Sequence, residues 1–172
     1  MAKKTALFGL LSALALSLSF LEGLIFPTAS FLPVGVKIGL SNIVTMLAAK
    51  IYGIGGGMGI TLIKALFAFA TRGFTAGLMS LGGGVISTLA MSILIKLDLK
   101  NVSFIGIGAL SAALHSIGQL CVAMFLSGTM LLLGYGKYLL MFAIPLGALT
   151  GAALNIIMPK IEKITLRKED YK

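Results

Sequence analysis

Six apolar runs fill most of this 172-residue chain, and they constrain its fold more than any other feature. They lie at about Thr5 to Leu21, Val34 to Ala49, Gly53 to Ala70, Gly77 to Ile95, Ser103 to Leu126 and Tyr138 to Met158. A helix that crosses a bilayer needs about 20 mainly apolar residues. In lipid the backbone must satisfy its own hydrogen bonds, so runs of this length read as helices. Only 11% of the residues are charged, whereas a soluble domain carries about 25%. The expectation is an all-α integral membrane protein: one transmembrane domain over residues 1–172, built as a six-transmembrane-helix bundle in the cell membrane.

The net charge of +9 does not point to nucleic acid. The cations punctuate the apolar runs and gather at the termini, with no basic helix and no zinc-ligand spacing. Their placement sets an orientation instead. With the N-terminus inside, ten cations fall on the cytoplasmic side: Lys3, Lys4, Lys50, Lys96, Lys100, Lys160, Lys163, Arg167, Lys168 and Lys172. Arg72 and Lys137 fall outside, with Lys37 near that border. Both termini are therefore expected in the cytoplasm, with the tail "KIEKITLRKEDYK" solvated or resting on anionic lipid. The first run is long for a signal peptide and has no A-x-A site after it, so it reads as a retained helix. Between Glu22 and Gly35 a semi-apolar stretch with two prolines reads as a lid or re-entrant segment, or equally as an interfacial turn.

Several chemistries find no support. The two aspartates, Asp98 and Asp170, cannot form a DDxxD-like magnesium-diphosphate site. No G-x-x-x-x-G-K-[ST] loop is present to cradle ATP, and Gly55-Gly56-Gly57 lacks the context of a dinucleotide fingerprint. His115 has no second metal ligand in register, and the lone Cys121 sits in an apolar run as filler. The chain is not expected to be an enzyme, and no cofactor is implied.

Polar residues inside the spans are costly in lipid, so they tend to face the interior and mark function. On the second run Lys37, Ser41 and Thr45 recur every four residues, with Asn42 beside them. On the third, Lys64, Ala68 and Arg72 share a face, and a rise of ~1.5 Å per residue puts Lys64 about 12 Å from Arg72 along the axis. On the fifth, Ser111, His115 and Gln119 align at the same spacing. Together Lys37, Asn42, Lys64, Arg72, His115 and Gln119 describe a cationic, outward-open cavity, with Glu22 as its one nearby carboxylate. Such a wall favours an anionic ligand. The bland alternatives are snorkelling to headgroups for Lys37 and Arg72, interhelical hydrogen bonding for His115 and Gln119, and packing for Asn42. Small residues form a second pattern. Gly9, Ala13 and Ser17 repeat every four residues on the first run, a stripe that lets another helix approach, either within the bundle or from a partner. The glycines at 55–57, 59, 82–84, 147 and 151 read as internal packing.

The segments "LPVGVKIGLSNIVT" and "ALHSIGQL", with Lys64 between them, resemble the Gx transporter family, also called heptaprenyl diphosphate synthase component I. That family is similar to the substrate-binding S components of energy-coupling factor (ECF) transporters. The elements that carry the likeness are K-x-G-x-[AS]-N (Lys37, Gly39, Ser41, Asn42) and H-x-x-G-Q (His115, Gly118, Gln119), with Ser116 departing from the pattern after the histidine. The resemblance implies a six-helix S-component-like fold and a ligand site near the outer side. It further implies partners: a membrane scaffold protein, docked on a first-helix stripe matching Gly9, Ala13 and Ser17, and two cytoplasmic ATPases. The expected function is uptake of a small anionic metabolite as the substrate-binding subunit. The competing expectations are a non-transporting membrane partner of prenyl-quinone synthesis or of a redox system, and a stand-alone channel or carrier.

Overall fold

A computed structural model of the chain describes residues 2–25, 38–97 and 103–169, with side chains described as far as residue 161. Among the described residues there are five helical elements: α1 (Ala2–Ile25), α2 (Leu40–Arg72), α3 (Phe74–Leu97), α4 (Phe104–Ser127) and α5 (Leu133–Glu169). All five are long and apolar enough to cross a membrane. Lys37, the lid stretch from residue 26 onward, Asp98 and Asp170 lie outside the described residues.

The second and third of the six expected spans meet in α2, which Gly53 breaks into two helical arms with a non-helical backbone between them. Gly53 has φ 70° and ψ −162°, a backbone conformation open in practice only to glycine. The bend is sharp. The Lys64 ammonium donates to Asn42 at 2.8 Å, although 22 residues of straight helix would span roughly 33 Å. The arms 40–52 and 54–72 therefore run back along each other. The sequence reading placed the start of its third run at this same glycine.

Glycines also set the close helix crossings. A side chain at Gly83 of α3 would lie 2.5 Å from the His115 carbonyl oxygen, and one at Gly118 of α4 would lie 2.8 Å from the Gly83 Cα. Gly108 of α4 meets Gly147 and Gly151 of α5 in the same backbone-to-backbone way. Without a strong hydrophobic drive between helices in lipid, such contacts supply the association. Successive helices pack on one another, α2 also touches α5, and α1 packs on α2 alone among the described residues.

The interior is polar for its size. Ser12, Ser19, Glu22, Ser41, Thr45, Thr61, Ser87, Thr88, Ser111, Gln119 and Thr150 are buried beside Met46, Ile60, Met91 and Leu154. Phe125, Met141, Leu66 and Leu149 point outward. That inversion fits a molecule whose solvent is hydrocarbon. Thr61 and Thr88 satisfy each other at 2.6 Å across α2 and α3.

Candidate functional site

Every helix contributes to one polar cavity. From α1 come Ser19 and Glu22; from the first arm of α2 Ser41, Asn42 and Met46; from its second arm Lys64 and Arg72. Ser80 of α3 adds to the wall, as do Ser111, His115, Ser116 and Gln119 of α4 and Ala143 and Thr150 of α5. The structure thus brings together Asn42, Lys64, Arg72, His115 and Gln119, which the sequence placed on three separate apolar runs. The cavity holds about 680 Å³ of space between atoms, open solvent included.

The bend at Gly53 builds the cationic corner. It returns the second arm so that Lys64 faces the polar stripe of the first, where its ammonium donates to Asn42 Oδ1 at 2.8 Å and to Thr45 Oγ1 at 3.3 Å. Thr45 uses its own proton on the Ser41 carbonyl at 3.1 Å, which leaves its oxygen lone pairs for the lysine. Two turns further along the second arm, Arg72 donates to Ser19 Oγ on α1 at 3.3 Å.

The Gly83–Gly118 crossing positions the α4 groups. It holds α4 close enough to α3 that His115 Nδ1 lies 3.4 Å from Ser87 Oγ. Ser87 also donates to the Gly84 carbonyl at 3.1 Å, and which partner donates in the Ser87–His115 pair depends on the imidazole tautomer. Gln119, one turn on, is buried. One turn before, Ser111 is buried with no hydrogen-bond partner for its hydroxyl. A buried unpaired hydroxyl is costly, and Ser111 lines the cavity.

Glu22 is the group the sequence reading passed over as a site residue. It is 3% exposed and accepts from the Leu40 backbone N–H at 2.5 Å and from Ser41 Oγ at 3.5 Å. Leu40 opens α2 after Gly39, which is left-handed and gives no side-chain cap. The carboxylate of α1 therefore caps α2 from across the interface, where a negative charge meets the positive end of the helix dipole. Its signal was present: Glu22 is the only acidic residue before Asp98, and with Ser12, Ala15 and Ser19 it lies on the buried face of α1. The other stripe on that helix, Gly9, Ala13 and Ser17, points outward, and nothing lies within 4 Å of the Gly9 Cβ position.

Among the described residues no set of three His, Cys, Asp or Glu side chains is grouped to hold a metal ion. The arrangement gathers a half-buried lysine, an exposed arginine, a histidine, two amides and several hydroxyls around one polar space, with one carboxylate engaged in capping.

Residues 11–157 match the family described as heptaprenyl diphosphate synthase component I. The chain belongs to that family. Neither a curated protein nor a solved structure matches it. The family's description names a component of a synthase; the polar lining described above is what this member presents.

Proposed function

We propose that the chain is the substrate-binding membrane subunit of an ECF-type transporter that takes up a small anionic metabolite. The observation that carries this reading is the gathering of Asn42, Lys64, Arg72, His115 and Gln119 around one cavity. Lys64 is half-buried inside a bilayer-spanning bundle and Arg72 is exposed at the wall of the same cavity; a cation at membrane depth is expensive, and an anionic ligand offsets that cost. Lys37, near the same end in sequence, joins the site in this proposal. Lys64 and Arg72 bind the anion, His115 donates or accepts at its far side, and Asn42 and Gln119 orient it. Catalysis is not part of the role.

In this reading the two arms of α2 each cross the membrane, giving six passes of the cell membrane with both termini in the cytoplasm. The excess of Lys and Arg at that side supports it. The outward stripe of Gly9, Ala13 and Ser17 is the docking face for a membrane scaffold protein that carries two cytoplasmic ATPases. ATP hydrolysis there drives reorientation and release.

The family description, which names a component of a heptaprenyl diphosphate synthase, keeps one other reading in play, a non-transporting membrane partner of prenyl-quinone synthesis or of a redox system. Co-purification from gently solubilised membranes separates the two. A scaffold and an ATPase pair support transport, and Ala13→Leu, which crowds the small-residue stripe, should release them. A prenyl synthase or flavoprotein in their place sinks the transport reading.

A further inference from the structure

Beside the polar cavity runs a second hollow, a groove between α1 and the second arm of α2. Phe20, Gly23, Leu24 and Phe67 line it, with Phe20 and Phe67 in an edge-to-face contact at 6.4 Å. Phe20 and Leu24 are more than half exposed, so the groove opens towards the acyl chains. Ser19 and Arg72 line both the cavity and the groove, and their hydrogen bond sits where the two meet.

The two spaces differ in their lining. The cavity is walled by charged and polar side chains, whereas the groove beyond Ser19, Thr71 and Arg72 is walled by Phe20, Gly23, Leu24 and Phe67, adjoins the same arginine and faces lipid. We infer that the ligand is a single-chain amphiphile. Its small anionic head sits in the polar cavity, and its apolar tail lies in the groove between α1 and α2. The head passes Arg72 on its way in from the membrane plane. α1 packs on α2 alone among the described residues, so it can move aside without disturbing the other crossings. This inference rests on the anion-binding reading above and adds the tail to it.

Two probes and two variants test it. Butyl phosphate and dodecyl phosphate are titrated separately onto the full-length protein in a non-ionic detergent, each below its own micelle concentration, and native mass spectrometry counts the bound copies. Gly23→Leu fills the groove, and with nothing within 4 Å of the Gly23 Cβ position the variant should fold. Lys64→Ala removes a head contact. Dodecyl phosphate should bind wild-type protein at least about tenfold more tightly than butyl phosphate, because its extra methylenes leave water. Gly23→Leu should abolish that difference while butyl phosphate binds as before. A long-chain preference that survives Gly23→Leu, or no such preference in the wild type, overturns the tail assignment and leaves the anion site standing. Failure of both probes to bind wild-type protein also overturns the amphiphile. If Lys64→Ala leaves both probes bound as in the wild type, the anion-binding reading itself falls.

Discussion

Gly83→Val puts the role of the α3–α4 crossing to a quantitative test. The Cβ alone would lie 2.5 Å from the His115 carbonyl oxygen, 2.8 Å from Gln119 Cγ and 3.3 Å from the Gln119 backbone N. Two of those atoms are backbone and cannot swing away, so α4 must retreat by roughly 1 Å to restore ordinary contact. Overpacking of this kind costs about 1–3 kcal/mol. The helix propensity of Val over Gly returns less than about 0.5 kcal/mol. At about 2–4 °C per kcal/mol for a chain of this size, the midpoint should fall by several degrees, up to about 10 °C. The same retreat carries His115 and Gln119 away from Lys64, so ligand binding should weaken even in protein that stays folded. The assay is the fraction remaining monodisperse by size exclusion after heating in detergent. Gly9→Val is the control, since its Cβ position has nothing within 4 Å. If Gly83→Val melts with the control, the crossing is looser than described and does not position the α4 groups.

Three further outcomes follow from the same geometry. Gly53→Ala should destabilise by about 1–3 kcal/mol, read as a lower midpoint in the same heating assay, because its φ and ψ exclude a Cβ. Thr88→Val, which strands the Thr61 hydroxyl, should cost about 1–3 kcal/mol by that assay, whereas the double change Thr61→Val with Thr88→Val should recover part of it. Glu22→Gln keeps an acceptor for Leu40 and Ser41 but removes the charge at the helix N-terminus, so its loss should be no more than about 1–2 kcal/mol, and Glu22→Leu should lose more.

Much of the fold was legible because lipid imposes a simple rule. Long apolar runs become helices, and every helix found coincides with one or two of those runs. At α2 apolar counting found the boundary between the two arms, but not the reversal of direction there, which depends on a glycine-only backbone conformation at Gly53. The polar stripes were legible for the same reason: a lysine or an amide inside an apolar run has few places to go but inward. Four-residue spacing put Asn42, Lys64, Arg72, His115 and Gln119 on three faces, and packing turned those faces towards one another. Glu22 escaped because it sits at a helix end, where a carboxylate ordinarily meets water; only the fold shows it capping a different helix. The groove beside Phe67 was also hidden, since it is made by the packing of α1 on α2 rather than by any residue pattern. The glycines divided by environment. Gly83, Gly108 and Gly118 are crossings, whereas Gly9 and Gly55 face open space.

Central to the whole account is that Lys64 holds an anion rather than merely tying the arms of α2 together through Asn42 and Thr45. The direct measurement is native mass spectrometry of ligand retained by wild-type and Lys64→Met protein purified side by side, with heating curves on both. Loss of a charge-assisted hydrogen bond worth about 1.5–3 kcal/mol predicts roughly a 10- to 100-fold drop in affinity for the retained anion, with a folded, monodisperse variant. Undiminished retention of the anion by folded Lys64→Met protein would contradict it.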